Sequence, residues 1–166
     1  MIGAATHSEG RREGYAVDLI NLVDGDNSFR VRVLGRRSPG LLHLHDRLDA
    51  EVLVTSSFIA GRLTMTLVPA DLESWSRALD ALAAGQDICW RDDDHSPEIR
   101  IDPNDAEHDC VAVRVEDLGQ SCVSIFLPVC LEDGWIDRQR SLLDLVRKEW
   151  PSEVLESSPG VYAWRR

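Results

Sequence analysis

The chain has 166 residues, 43% of them hydrophobic and 28% charged, which fits one ordinary domain able to bury about two-thirds of its unfolded surface without staples. Its formal charge of −11, from 29 acidic and 18 basic residues, opposes a nucleic-acid-binding role, because neutralising phosphates takes a basic face. No window reaches the ~18 consecutive apolar residues of a membrane span and the first residues lack the apolar centre of a signal peptide, so membrane insertion is not expected and a cytoplasmic location is.

Met1 to Gly14 mixes small and charged residues without a period and reads as a disordered lead to one folded domain over residues 15–166. From Ala16 to Val23, Val17, Leu19 and Asn21 are expected on one face. The turn-forming Asp24-Gly25-Asp26-Asn27 then hands over to Phe29-Arg30-Val31-Arg32-Val33, whose strict alternation marks a hairpin with the two Arg outward. Gly35 to Gly40 is a basic turn, and strands are expected at Ala50–Phe58 and Leu63–Leu67. A helix follows from Pro69, which suits a first turn, to Gly85, which suits a left-handed end. Leu72, Trp75, Ala78, Leu79 and Leu82 recur on one face, so Trp75 is read as core.

Beyond Gly85 the pattern predicts short strands at Ile88–Trp90 and at Glu98–Ile101, the latter ending at Pro103, and an acidic loop over Asn104–Asp109. A second hairpin is expected from Cys110–Val115 and Cys122–Leu127. The last helix opens at Glu132-Asp133-Gly134 and stops at Pro151, with Ile136, Leu142, Leu143, Leu145, Val146 and Trp150 as a broad apolar side; a turn at 157–160 leads to a short strand at 161–164. The expected fold is α+β: a mainly antiparallel sheet of about six to nine strands, curled or split into two layers, packed against two helices.

Four groups of residues invite a chemical reading. Arg30, Arg32, Arg36 and Arg37 form the dense basic group, and with His43 and His45 they make a candidate anion or ligand pocket through forked hydrogen bonds; the alternative is a strand face balanced by acids such as Asp18 or Glu51. His43-Leu44-His45-Asp46 would aim two imidazoles to one side if it were a strand, but a metal site needs three or four convergent ligands, so no metal and no cofactor is expected. Gln86 to Asp117 holds eleven acids against three bases, and Asp92, Asp93, Asp94, Asp105, Glu107 and Asp109 are the candidate acidic partner surface, expected to gather at one end of the sheet. Cys89, Cys110, Cys122 and Cys130 show no CxxC pair and are read as reduced thiols, the first three on apolar strands. Phosphate-loop, dinucleotide, serine-hydrolase and zinc-protease motifs do not occur.

Several segments together resemble a small uncharacterised actinobacterial family that carries a domain-of-unknown-function label. They are Val17-Asp18-Leu19-Ile20, Val31-Arg32-Val33-Leu34-Gly35-Arg36-Arg37, His45-Asp46-Arg47-Leu48-Asp49-Ala50-Glu51, Asp71-Leu72-Glu73-Ser74-Trp75, the run Ala78 to Gly85, Gly134-Trp135-Ile136-Asp137 and Trp150-Pro151-Ser152-Glu153-Val154. The resemblance spans about Tyr15 to Arg166 and implies no activity and no catalytic residue. The layout of strands, a helix with a DLxxW opening, further strands and a closing helix is also similar to small immunity-type proteins that neutralise a bacterial toxin, an analogy of layout and not of site.

The leading expectation is a non-enzymatic protein-interaction domain, an immunity- or antitoxin-like inhibitor using its acidic surface on a protein partner such as a basic toxin or enzyme, with no nucleic acid and no membrane involved. The alternative is a small-molecule-binding protein or small enzyme with a polar pocket near Arg32, Arg36, His43 and His45. Surface shape discriminates them: a concave apolar pocket with convergent polar groups favours the second.

Overall fold

The computed structural model describes residues 15–92, 97–119 and 121–166, so the lead expected over residues 1–14 lies outside the described residues. Among the described residues, strands β1 (Val17–Val23), β2 (Ser28–Arg36), β3 (Leu48–Thr55) and β4 (Ala60–Leu67) form one antiparallel meander, and β5 (Ile88–Trp90), β6 (Glu98–Asp105), β7 (Cys110–Asp117) and β8 (Val123–Val129) form a second. Helix α1 (Pro69–Ala83) joins them, α2 (Trp135–Glu149) follows the second, and β9 (Val154–Ser158) with β10 (Val161–Trp164) makes a closing hairpin. The fold is α+β and mainly antiparallel, as its alternating strands and segregated helices require. The strands divide among three sheets and outnumber the six to nine expected, because residues 154–158 pair with the tail.

The inward faces of both meanders share one buried cluster with the two helices, including Phe29, Val31, Val33, Val52, Ile99, Ile101, Val113 and Val129. Trp75 is fully buried and its ring lies 5.3 Å from that of Trp90, as its spacing with Leu72, Leu79 and Leu82 demands. Helix α1 begins where the Asp71 carboxylate accepts the Val68 N–H at 2.8 Å. It ends in a Schellman turn, in which Gln86 N–H reaches Ala81 O and Gly85 N–H reaches Leu82 O, with Gly85 at φ 77° as the left-handed residue that such an ending needs.

Two bulges break the alternation, because one extra residue moves every later side chain to the other side, and the first of them overturns the face expected for Asn21. In β1 the register shifts between Asp18 and Ile20, so Ile20 and Leu22 pair with Val31 and Phe29 on the inward face while Asn21 pairs with Arg30 outward. In β2 the register shifts between Val33 and Gly35, whose φ of 145° suits the kink; Gly35 then faces Asp49 and Arg36 faces Leu48. Arg30 and Arg32 therefore stay outward and Arg36 turns to the inward side.

Other departures have equally local causes. Strand β6 continues past Pro103 because a third register shift, between Asp102 and Asp105, takes that residue out of the regular ladder, the place where a missing N–H is tolerated. Leu145 lies on the exposed side of α2, and the inward position that complements Leu143 and Val146 belongs to Gln139. Its side-chain amide accepts Asn21 N–H at 2.8 Å and donates to Asn21 O at 3.0 Å, so α2 satisfies the open edge of β1 with a borrowed peptide-like group. Cys110 and Cys130 are joined in a disulfide and are not the thiols expected; antiparallel pairing of Val111 with Val129 sets them opposite each other at the end of the β7–β8 ladder. Cys122 sits exposed in the β7–β8 turn at φ 55°, not on a strand. No helix of the described residues is long and apolar enough to cross a membrane.

Candidate functional site

The basic and histidine residues that read as one pocket divide between two places. On the outward face of the first meander, Arg32 Nε donates to Asp18 at 2.8 Å and Arg62 reaches the buried Glu51 at 2.6 Å, the charge-balanced face with Asp18 and Glu51 as its acids. The Asp18 hydrogen bond raises the Arg32 pKa. Arg30 lies beside them, across Leu53 from Arg62, and Arg37 donates to Asp49 and, at 2.6 Å, to Thr66.

Arg36, on the other face, belongs to a clamp. Its guanidinium donates to His45 O, Asp46, Pro151 O and Glu153 at 2.6–3.3 Å, and its side chain is largely buried. The residues from Leu41 to Arg47 form turns, not the strand that would align His43 with His45. His45 Nδ1 accepts the Gly40 N–H, so Nε2 carries the proton offered to Glu153, and the ring packs edge-on against Trp164 at 4.8 Å. Asp46 accepts Ser152 Oγ, Glu153 N–H and Val154 N–H on top of Arg36. Burial alone would raise the Asp46 carboxyl; these hydrogen bonds outweigh it and hold it below the ordinary carboxylate value. The side chains that look most chemical in the sequence thus fasten the closing hairpin to the first meander. Among the described residues no three His, Cys, Asp or Glu side chains converge as metal ligands.

The acidic candidates are also separated. Successive turns of an antiparallel meander lie at opposite ends, so Asp92 after β5 and the turn carrying Asp105, Glu107 and Asp109 stand at the two ends of β6, about 25 Å apart for eight residues. Asp93 and Asp94 lie outside the described residues. Asp105 pairs with His108 and accepts the Glu107 N–H, while Glu107 and Asp109 are exposed. Cys89 is unsuited as a nucleophile: burial first, then the Glu98 carboxylate, pushes its thiol up to about 11.

A concave surface that periodicity did not reveal lies where the two meanders part. Strand β8 crosses the turn end of the first sheet: Ile125 stands over Gly61 of β4, Pro128 O accepts Asn27 Nδ2, and Cys130 N–H donates to Asp24. That last bond, with those from Asn27 and Asp26, lowers the Asp24 pKa against the opposing effect of burial. The inward positions of β4 and β8 are buried at their C-terminal halves, at Met65, Leu67, Leu127 and Val129, and open toward the turns, at Leu63, Val123 and Ile125. The gap is a cleft of about 650 Å³ lined by Val52, Val54, Leu63, Val115, Val123 and Ile125, with Arg62 and the buried Asp117 also in its lining.

Two organised turns border this cleft. Ser56 Oγ accepts the N–H groups of Phe58 and Ile59, and Ser56 N–H donates to Ile59 O, which holds the β3–β4 turn with Phe58 91% exposed. In the β7–β8 turn Asp117 accepts Ser121 N–H and Oγ, and Leu118 is 67% exposed. Helix contacts fall on β1 and β5, the opposite edges of the two sheets. Exposed apolar side chains on braced turns beside an apolar hollow would lose little further entropy on being covered, because the turns already hold them outward.

Comparison with known proteins places this arrangement in a family without supplying a role. The chain belongs to DUF5959, a family of unknown function, whose model matches residues 17–151. Neither the curated proteins nor the solved structures yield a match.

Proposed function

We propose that this member of DUF5959 is a non-enzymatic protein-interaction domain, an inhibitor of the immunity or antitoxin kind, that docks a basic toxin or enzyme at the cleft between the two meanders. The observation that carries the reading is the apolar cleft itself, open to solvent between braced turns that present Phe58 and Leu118. An apolar anchor from the partner would displace water from Leu63, Val123 and Ile125, the central, desolvated kind of contact that dominates interface energy. Charge names the partner's sign. The chain carries a net −11, and the strand pairing sets Glu98 and Glu116 opposite each other toward this end of the second meander, with Asp92 beyond Trp90. A basic surface would be steered in and an acidic one turned away. The acids act here through the long-range field, which does not require them to form one patch.

The experiment is stopped-flow association of the full chain with the products of the genes that flank its own, basic ones first. Association is expected to slow steeply between low and physiological salt. Phe58→Ala and Val123→Ser should each speed dissociation at least tenfold with unchanged melting temperature. Kinetics indifferent to salt and to both substitutions would remove the reading.

A further inference from the structure

A second cavity, of about 330 Å³, lies between the turns after β2, the start of α1 and the closing hairpin. We infer that it is a binding site for a small carboxylic acid with an apolar body, held by Arg47 and Arg165 with His43 and Tyr162 beside them. The cavity sits at the lower end of the size range of small-molecule sites, and one wall is apolar, made by Leu42, Pro69, Ala70 and Val154. The lining also carries two guanidinium groups, Arg47 and Arg165, and two carboxylates, Asp46 and Glu156.

What makes the guanidinium charge available is the clamp next to it. Two carboxylates line the cavity: Asp46 is committed to Arg36, Ser152 and the Glu153 and Val154 N–H groups, while Glu156 accepts Gly160 N–H through one oxygen, so the two guanidinium groups outnumber the one carboxylate without an ion pair. Among the described residues Arg47 has no side-chain hydrogen bond or ion pair, so its fork of donors is unspent. Arg165 places its Nε 3.4 Å from Val154 O and leaves its terminal nitrogens to the cavity. A carboxylate can accept two parallel N–H bonds from one such fork and a further bond from the second, a geometry that a lone ammonium does not offer. The rings of His43 and Tyr162, whose centroids are 6.4 Å apart, stand at the same rim and suit the flat face of an aromatic acid.

The walls do not need the ligand in order to form. Arg165 N–H donates to Glu153 O at 2.8 Å, His45 holds Glu153 and Trp164, and Asp46 binds the backbone just before β9. Residues 152–165, which supply five of the twelve lining residues, lie beyond the matched span of 17–151. The site is therefore built jointly by the family region and this chain's own tail, at a different place from the protein-docking cleft.

The test is calorimetric titration of the full chain with benzoate and indole-3-acetate, with inorganic phosphate as an anion that lacks an apolar body. The aromatic acids should bind at one site per chain, and phosphate at least tenfold more weakly. Arg47→Gln and Arg165→Gln, both on exposed side chains and expected to leave the melting temperature unchanged, should each weaken benzoate at least tenfold; Arg47→Lys should restore part of it. Phe58→Ala should leave the titration unaltered, which keeps this outcome separate from that of the docking cleft. Absence of binding, affinities unchanged by both Arg substitutions, or phosphate binding as tightly as benzoate would each overturn the assignment.

Discussion

The clamp around Asp46 and the cleft beside Phe58 invert the usual roles of polar and apolar residues. In the clamp, Arg36, His45, Asp46 and Glu153 carry the groups that a chemist would choose for a binding site, yet their donors and acceptors face one another and fasten the closing hairpin. In the cleft, Leu63, Val123 and Ile125 look like ordinary strand core, yet the sheets part before covering them fully. A polar cluster whose hydrogen-bonding capacity is already used inside the protein has little left for a ligand, whereas apolar surface left uncovered retains its full tendency to be buried. Availability, more than residue type, separates a site from a scaffold.

That contrast can be tested by substitution, and the shared core sets the scale. Trp75→Ala should destabilise the fold by about 3–5 kcal/mol, the cost of truncating a fully buried aromatic, read from denaturant unfolding. Retained stability would mean that the core closes over the void.

Breaking the clamp comes next. Asp46→Ala removes the acceptor of the hairpin's backbone and leaves the mostly buried Arg36 without its closest carboxylate, with an expected loss of about 3 kcal/mol. The pH dependence has a definite sign. Asp46 and Asp24 have folded pKa values below their ordinary ones, so their contribution is present above the unfolded carboxylate pKa near 4 and is lost as pH falls through the lower folded values. Unfolding curves between about pH 5 and 2 should show that loss for the native chain and a flatter profile for Asp46→Asn. Equal slopes would detach the clamp from acid sensitivity.

Gln139→Ala tests a single polar tie. Two backbone groups of Asn21 lose their partner at a buried edge, so about 1–3 kcal/mol should be lost, with faster amide exchange in β1 than in β3. The smallest change belongs to the cleft rim. Phe58→Ser should leave stability within about 0.5 kcal/mol, because its side chain is almost wholly in water. A drop of a few kcal/mol would make the turn part of the core and close the contrast drawn here.

Much of the architecture was legible from the chain. The β1–β2 hairpin followed from Asp24-Gly25-Asp26-Asn27, and the Asp24 side chain indeed accepts the Asp26 and Asn27 N–H groups. The limits of α1 followed from Pro69 and Gly85, and its buried face from spacing. These signals are local, and a local signal needs no partner to be read. Less of the candidate sites was legible. The grouping of Arg30 and Arg32 with Arg36 rested on their closeness in the sequence, and the bulge before Gly35 turned Arg36 away. Expecting the acids to gather at one end ignored the alternation of turns along an antiparallel meander, which places them at both ends of β6.

The sequence by itself determined both helices and most of the strands, because side-chain periodicity and turn chemistry act within a few residues; β9 needed its pairing with the tail. The tertiary structure alone decided which charged groups are spent and which apolar ones are uncovered. Asp46 meets Val154 across 108 positions of chain and Gln139 meets Asn21 across 118, and no short-range pattern encodes such a pairing. Whether a carboxylate or a leucine is free for a partner depends on what the rest of the fold has already brought against it.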